Sequence, residues 1–337
     1  MIRHAMKVAL VASSFVASAA AVAAGCSSGD GASSSAAVSS TSTSASSTST
    51  SASSASTTSS STGSARGSTG QGGASTGSGE SATPFTITFE GRVGAEVFSC
   101  ASTYKGLGVA ATDVKIADYR LYIHEVRLHE KGGGDVPLTL DQDGVWQVQD
   151  LALLDFEDKS GSCSNGTVET NKKIVGKAPA RDYDGISFRL GVPFALNHAD
   201  ASVAPSPLNL SGLFWSWNAG YKYMRVDTIP EGGSGPFLFH LGSTDCEGDF
   251  ADGGVKICAR PNIADVVLTG FDPAKNKVVV DYGAIVANSD LSKDMGGAPG
   301  CMSGATDPEC APIFKLVGID ITDGTVHPEQ QKLFHVE

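Results

Sequence analysis

Six cysteines restrict the folds open to this chain: Cys100, Cys163, Cys246, Cys258, Cys301 and Cys310. An even number of cysteines behind an export signal is typical of disulfides formed in an oxidising compartment. No Cys-x-x-Cys pair occurs among them, which makes metal binding by thiolates the weaker interpretation. Pairing nearest neighbours predicts two short loops, 246–258 and 301–310, and leaves Cys100 with Cys163. The sequence alone does not decide this connectivity.

The first 25 residues have the pattern of a signal peptide. A short basic start, with Arg3, His4 and Lys7, precedes an apolar, alanine-rich stretch over residues 8–24. That stretch is short for a membrane span and ends in small residues, as signal peptides do. We therefore expect residues 1–25 to direct export.

The end of this segment resembles a bacterial lipobox. Residues 23–26 read AAGC, and cleavage before Cys26 would make a lipidated cysteine the mature N-terminus. The alternative is ordinary secretion after an Ala-x-Ala site. Ser27 follows the cysteine where aspartate would favour retention, so we expect a cell-envelope protein with its lipid anchor in the outer membrane. Its domain would then lie in the periplasm or be exposed outside.

Residues 26–82 consist almost entirely of Ser, Thr, Ala and Gly. Such a segment buries too little apolar surface to offset the entropy of ordering, so a disordered tether is expected. Its root-mean-square reach is roughly 40 Å. The folded domain is predicted over residues 83–337. The net charge of −12 argues against nucleic acid as a partner.

Alternating apolar and polar residues, separated by Gly, Pro, Asp and Asn, predict strands at residues 85–93, 118–128, 185–191, 221–227, 264–270 and 277–282. Short helices or turns are predicted at residues 148–154, 206–213 and 282–287. The fold class is therefore all-β, an antiparallel sandwich or barrel-like domain with long disulfide-stapled loops. Residues 141–144 (DQDG) resemble part of a calcium loop, but a turn between two strands explains them better.

The most unusual stretch is residues 204–224, which holds Trp215 and Trp217 between Phe214 and the pair Tyr221 and Tyr223. In an extended strand the two indoles would point to the same face. One interpretation is a buried aromatic strand in the core. The other is a site in which an oxidisable aromatic side chain lies beside imidazoles.

Common catalytic signatures are absent from the sequence, which leaves histidine as the main candidate for chemistry. His124 and His129 are five residues apart, so on one strand they should face opposite ways and not share a metal. His198 and His240 complete the candidates within the domain. Each could be a core histidine, or a copper ligand with a soft third donor. The thioethers of Met224 and Met302 are candidate donors, with plain packing as the alternative.

Several segments together resemble the MbnP family, the four-cysteine partner of the "metallo-mystery pair" system. They are residues 118–128, 151–158, 189–198, 204–224, 240–246 and 299–310. The run FWSWNAGYKY and the last cysteine loop are its most specific parts. The resemblance extends over nearly all of residues 85–337. Six cysteines stand where the family label has four, so one pair, Cys100 and Cys163, is expected to lie outside the named motif.

The resemblance implies a non-enzymatic copper-binding protein for copper acquisition, storage or delivery. It also implies an MbnH-like dihaem partner of the cytochrome c peroxidase type, which oxidises a tryptophan to kynurenine. The modified residue then helps to bind copper, expected as Cu(I). The matching positions are Trp215 or Trp217, without a choice between them, and Trp146 lies outside the motif. The histidines in matching segments are His124, His198 and His240.

Two other functions stay open from the sequence. The domain could be an envelope binding or structural module whose aromatics are plain core and whose histidines bind no metal. It could also be a hydrolase without a sequence signature, since a Ser/His/Asp triad needs no motif.

Overall fold

The computed structural model describes residues 81–249 and 253–337. The predicted signal peptide, the lipidation site Cys26 and all but the last two residues of the predicted tether lie outside this range. Within the described residues, every helix is too short or too polar to span a bilayer.

The described residues contain twenty strands: β1 (Ala82–Val93), β2 (Glu96–Val97), β3 (Tyr104–Leu107), β4 (Thr112–Glu130), β5 (Asp135–Pro137), β6 (Thr139–Leu140), β7 (Gln147–Val148), β8 (Leu151–Asp155), β9 (Lys173–Pro179), β10 (Tyr183–Leu190), β11 (Phe214–Ser216), β12 (Gly220–Tyr221), β13 (Met224–Pro230), β14 (Phe237–Leu241), β15 (Thr244–Asp249), β16 (Gly254–Arg260), β17 (Ala264–Thr269), β18 (Val278–Asp281), β19 (Gly300–Cys301) and β20 (Phe334–Val336). The α-helices are α1 (Phe194–Asn197), α2 (Tyr282–Ile285) and α3 (Cys310–Val317), and 3-10 turns lie at Ser211–Leu213 and Pro328–Gln330.

The strands form two main sheets and two small hairpins, which confirms the predicted all-β class. The smaller sheet has the order β20-β18-β1-β9-β6, with β2 beside β1. The larger has the order β17-β10-β4-β13-β14-β19, with β3, β5 and β8 also on β4 and β7 on β8. Most pairs are antiparallel, but β1–β18 and β14–β19 are parallel. The hairpins β11/β12 and β15/β16 stand apart from both sheets.

The two sheets pack against each other through aromatic side chains. Phe89 of β1 meets Phe188 of β10 edge to face, with ring centroids 5.9 Å apart. Phe188 also meets Phe334 of β20 at 5.0 Å. The hydroxyl of Tyr119 on β4 crosses the interface to donate to the carbonyl of Val280 at 2.7 Å. Edge-to-face pairs of this kind stabilise a sandwich core beyond the area they bury.

The central strand β4 is buried on both faces over residues 116–124. One face carries Tyr119 and packs on the smaller sheet. The other is covered by the long segment 192–223, whose Pro207 carbonyl accepts a hydrogen bond from Tyr122. This aromatic-rich segment therefore forms a third layer over a sheet face that carries charged side chains.

Three disulfides tie the loops to this framework, and they join Cys100 to Cys163, Cys246 to Cys258, and Cys301 to Cys310. This is the pairing that nearest neighbours predict. The second links directly opposed residues of the β15/β16 hairpin, and the third joins β19 to the start of α3. The two shorter bridges thus lie beside the aromatic layer.

The prediction that His124 and His129 face opposite ways is wrong. His124 and His129 lie on the same face of the larger sheet, because they pair with Arg189 and Gly185 of β10, four residues apart on a regular strand. A bulge at Glu125, whose φ is +52°, inserts one residue into β4 and reverses the alternation. Their separation of about 13 Å along the strand still prevents a shared metal.

The segment 148–154, predicted to hold a turn or short helix, holds the turn of the β7/β8 hairpin, with Gln149 at positive φ between the strands. Helices α1 and α3 carry no prediction from the sequence. At four and eight residues they are too short to show a clear period. The turn at residues 141–144 is present, and Asp143 Oδ1 accepts three backbone N–H groups of residues 145–147.

Asp155 is a buried carboxyl at the end of β8, opposite Arg120 of β4. Burial raises the pKa of Asp155 to about 8, against the opposing effect of Arg120. Its protonated form is therefore favoured by folding. The resulting stabilisation is complete below the ordinary pKa of 3.8 and is lost as the pH rises towards about 8.

We expect Asp155→Asn to be more stable than the wild type above about pH 8, by about 1–3 kcal/mol. The amide stays neutral and its oxygen can still accept from the N–H of Glu157. Urea unfolding at acidic and alkaline pH measures the difference. Asp158→Asn is the control. Asp158 is an exposed carboxylate that accepts from the N–H of Ser160, and its replacement should not reduce the pH dependence of the unfolding free energy. Equal pH slopes in the wild type and Asp155→Asn would contradict a neutral Asp155.

Candidate metal centre

His240 is the histidine best prepared to bind a metal. It lies on β14, is buried, and its Nε2 contacts Asp227 Oδ1 of β13 at 2.7 Å. With the proton on Nε2, the lone pair of Nδ1 is free, and among the described residues Nδ1 has no hydrogen-bond partner. Burial lowers the pKa of His240, and Asp227 offsets part of this. A carboxylate that fixes the tautomer of a neutral imidazole is the usual support for a metal-binding histidine.

Asp227 is itself fixed by a buried ionic network. Its Oδ2 accepts from Arg225 Nε at 3.0 Å and from Asn165 Nδ2 at 3.3 Å. Burial alone would raise the pKa of Asp227, but hydrogen bonds from His240 and Arg225 outweigh it and lower the pKa to about 2. Arg225 also contacts Asp118 Oδ2 at 3.2 Å. The carboxylate that orients His240 is therefore charged and held in place.

The same arginine connects the network to the aromatic layer above the sheet. Arg225 Nη1 donates to the carbonyl of Gly212 at 2.8 Å, and Lys222 Nζ donates to the same oxygen at 3.0 Å. Gly212 lies in the 3-10 turn that leads directly into β11. The position of the tryptophan strand is thus set by charged groups of the sheet below it.

Trp215 lies next to His240, with ring centroids 6.3 Å apart. Its benzo edge packs on Gly242, where an added Cβ would lie 2.4 Å from Trp215 Cζ3. The indole is half-buried and lines a cleft of 270 Å³ together with Met302. It is therefore both adjacent to an imidazole and open to solvent on one side.

Met302 reaches this cleft because β19 pairs in parallel with β14, Cys301 opposite Phe239. The next residue, Ser303, donates its hydroxyl to the carbonyl of His240 at 2.9 Å and accepts from the N–H of Gly242 at 3.0 Å. The last cysteine loop thereby brings a thioether beside the His240 strand. A neutral imidazole and a thioether are donors that suit copper, above all Cu(I).

Trp217 occupies a different position. β11 ends at Ser216, so the predicted common face for the two indoles is wrong. Trp217 is 38% exposed and lines a separate cleft of 440 Å³ with His198 and Phe214. Both indoles are thus partly accessible, which does not fit a fully buried aromatic strand.

His198 belongs to the surroundings of the second disulfide. Its Nε2 lies 3.3 Å from Cys258 Sγ and 3.0 Å from Asn197 Nδ2. Burial lowers its pKa, with a partial offset from the backbone of Trp217. Its ring packs on Phe194 at 4.7 Å. These contacts engage Nε2 of His198, whereas its Nδ1, like that of His240, is buried without a hydrogen-bond partner among the described residues.

His124 lies away from this centre. Its Nδ1 contacts the carbonyl of Gly191 at 2.9 Å. Strand register pairs His240 with Arg225 and Arg225 with Arg120, whereas His124 is four residues farther along β4. It is therefore displaced by about 13 Å along the strands and about 10 Å across them. The structure does not bring the three predicted histidines into one coordination sphere.

Among the described residues, two groups of three His, Cys, Asp or Glu donors lie within 4.8 Å of one another: His198, Cys246 and Cys258, and Cys100, Glu157 and Cys163. Both include a disulfide, whose sulfurs are not thiolates. Met224, the other thioether candidate, is fully buried in the core. Of the predicted donors, His240 therefore has the surroundings that best suit a metal ligand, beside Trp215, which lines a cleft with Met302.

Asp227→Asn is expected to weaken copper binding at this centre about 10- to 100-fold, the usual effect of losing an outer-shell carboxylate. Competition with a Cu(I) chelator measures it. The matched control is Asp265→Asn, which removes the partner of Arg189 on the same sheet and should leave the affinity unchanged. An unchanged affinity in folded Asp227→Asn would show that His240 does not depend on this carboxylate.

Comparison with known family models and with solved structures points to the same family. The MbnP family model matches residues 82–303, about two thirds of the chain. A solved structure, "MbnP from Methylosinus trichosporium", is similar with a TM-score of 0.69 and 30% sequence identity. The match covers 76% of this chain and 98% of that one. A search of curated proteins finds no match.

Proposed function

The chain belongs to the MbnP family, and on that basis we propose that it binds copper at a centre formed by His240, Met302 and an oxidised Trp215. Family membership by itself suggests a copper-associated role. The assignment of residues goes further and rests on this chain's own geometry.

The observation that carries the proposal is Nδ1 of buried His240, which lacks a hydrogen-bond partner in the part of the chain that the structure describes. The imidazole and the indole of Trp215 lie 6.3 Å apart by ring centroids. A buried polar atom without a partner is costly unless a ligand satisfies it. His240 would supply a neutral nitrogen and Met302 a thioether. Such soft and borderline donors favour Cu(I) over hard cations.

An intact indole offers no free lone pair, so a third donor requires its oxidation. Removal of four electrons from Trp215, with oxygen from two water molecules added at C2 and C3, breaks the C2–C3 bond and releases four protons. The product is N-formylkynurenine, and hydrolysis of its formyl group releases formate. Kynurenine then has an aniline nitrogen and a ketone at a position that lies beside His240.

The oxidant that we propose is hydrogen peroxide, acting through an MbnH-like dihaem partner. Reduction of two peroxide molecules to four water molecules by that partner would consume the four electrons and the four protons. Redox chemistry of this difficulty is normally carried by a cofactor, here that of the partner. The chain itself is then the substrate of an enzyme rather than a catalyst. Trp215 lines a surface cleft, which gives the partner access.

The cellular setting of this proposal is the envelope. Three disulfides suit an oxidising compartment. A lipid on Cys26 and a long tether would hold the domain at the outer membrane. Copper acquisition, storage or delivery would follow from a reversible Cu(I) site in that location.

The proposal is tested by expressing the full chain with and without the dihaem partner and measuring copper bound per protein. Copper binding that depends on the partner is the expected result. Equal and negligible copper in both preparations, with the partner shown to be active, would leave the chain as a β module without a metal site.

A further inference from the structure

The disulfide between Cys246 and Cys258 differs from the other two in its exposure. Cys246 is half-buried and lines a surface cleft, whereas the four cysteines of the other two disulfides are all buried. The bond crosslinks the β15/β16 hairpin, which stands apart from both main sheets. Access controls the rate at which a thiol attacks a disulfide. Of the three disulfides, this one is therefore the most open to reduction, and its opening leaves the crosslinks of the main sheets intact.

His198 lies against this disulfide with a defined tautomer. Its Nε2 is 3.3 Å from Cys258 Sγ. Asn197 Oδ1 accepts from the N–H of Tyr221, so the amide group of Asn197 that lies 3.0 Å from His198 Nε2 is the donor Nδ2. Burial lowers the pKa of His198, which favours the neutral ring. A neutral imidazole that accepts a hydrogen bond at Nε2 has its lone pair there, on the side of Cys258.

The three side chains form a compact group of donors. A ring nitrogen of His198 and the two sulfurs all lie within 4.8 Å of one another. Neighbouring pairs of the β15/β16 ladder, 244 with 260 and 247 with 257, keep residues 246 and 258 opposed. Metal–sulfur bonds of about 2.3 Å and metal–nitrogen bonds of about 2.0 Å place such donors about 3–4 Å apart. Opening the disulfide would thus leave two thiols and an imidazole near the spacing of one coordination sphere.

We propose that reduction of this disulfide by a dithiol opens a second Cu(I) site, formed by Cys246, Cys258 and His198. A thiolate of the reductant attacks Cys246 Sγ, the S–S bond breaks, and Cys258 leaves as a thiolate. The second thiol of the reductant attacks the mixed disulfide and releases Cys246. Two electrons and two protons pass to the cysteine pair, and the dithiol becomes a disulfide.

The donor set selects a soft metal. Thiolates and imidazole suit Cu(I), whose binding would displace the two thiol protons. A closed Zn²⁺ site takes four ligands, whereas this group supplies three among the described residues. The metal would replace the contact of Asn197 with Nε2, while Asn197 keeps its bonds to Tyr221 and Ser243. Cu(I) is therefore the best fit.

This site is distinct from the proposed centre but adjoins the same cleft. Cys246 lines the cleft that also contains Trp215 and Met302. The second site uses none of the proposed ligands and needs no oxidised tryptophan. Reduction would add two thiolates at the wall of this cleft, where they would compete for Cu(I) with the thioether.

The test uses the copper-free full chain made without the dihaem partner, so that Trp215 stays unmodified. After graded treatment with dithiothreitol, alkylation of free thiols and peptide mass spectrometry identify the opened disulfide. Cys246 and Cys258 should be alkylated before the other four cysteines. Once the dithiol is removed without air, titration should show about one more Cu(I) per chain than in the untreated chain, with the ultraviolet absorption of thiolate–copper bonds.

Replacing both cysteines, Cys246→Ser with Cys258→Ser, should abolish the additional Cu(I). His198→Ala, which keeps the disulfide, should weaken its binding by about 10-fold or more. His129→Ala is the control, because this half-buried histidine bonds to Ser187 away from the hairpin.

The proposal is overturned if the dithiol opens the buried disulfides first, or if the reduced chain binds no additional Cu(I). Additional Cu(I) that persists in the double serine variant would also overturn it. None of these outcomes bears on the proposed centre at His240, because that centre is tested in protein matured by the partner.

Discussion

Replacing His240 with alanine is expected to lower the Cu(I) affinity of the matured protein by more than about 100-fold, beyond the range for outer-shell residues. The imidazole is buried beside Trp215, its Nε2 is held by Asp227, and its Nδ1 has no hydrogen-bond partner among the described residues. Its loss leaves a thioether and the oxidised aromatic. The cost to folding should be only about 1–3 kcal/mol, because Asp227 keeps its bonds to Arg225.

The matched control is His124→Ala, a histidine equally buried in the same sheet. It loses a hydrogen bond to Gly191 and should be destabilised without losing copper. Chelator competition gives the affinity, and urea unfolding gives the stability of both variants. If His124→Ala loses copper while His240→Ala keeps it, the copper centre lies at His124 on β4 and not at His240 on β14.

The β-sandwich could be predicted because each strand is recognisable from its own sequence pattern. Alternation along residues 85–93 and 264–270 needs no partner strand to be recognised, and both are strands in the structure. The sequence does not decide the cysteine connectivity, but the nearest-neighbour pairing agrees with the structure, in which two pairs close short loops. Family resemblance then supplied the copper-associated role, which the comparisons support.

The surroundings of His240 could not be predicted from the sequence, because they depend on how β13 pairs with β14. Asp227 and Arg225 are polar residues of a predicted strand, and only the pairing of β13 with β14 shows that they serve His240. The sequence does show these two charged residues alternating inside a buried strand, but it does not show which side chain of a neighbouring strand they contact. The bulge at Glu125 is similar, since nothing local marks the residue as an insertion.

The choice between the two tryptophans is likewise a matter of where a strand ends. Residues 214–217 look uniformly extended in sequence, yet β11 stops at Ser216 and separates the indoles into different clefts. Trp215 thereby lies beside His240, and Trp217 shares a cleft with His198. Nε2 of His198 is engaged by Asn197 and lies against the second disulfide, whereas Nε2 of His240 is held by a carboxylate. The geometry thus separates two residues that sequence reasoning treats as equivalent.

Trp215→Phe should abolish both the oxidative modification and copper binding in cells that contain the dihaem partner. Phenylalanine keeps much of the packing on Gly242 but cannot form a kynurenine. Mass spectrometry of the tryptic peptide spanning residues 190–222 detects the modification, because that peptide holds both tryptophans and His198. Copper bound per protein is measured on the same sample.

Trp217→Phe is the control on the same peptide, and it should keep a kynurenine at position 215 together with copper. The opposite pattern would place the chemistry in the cleft of His198 and remove His240 from the site. Modification of neither tryptophan, with an active partner present, would leave copper binding to His240 and Met302 alone. Two donors hold Cu(I) less tightly than three, so the affinity would separate that case from a matured site.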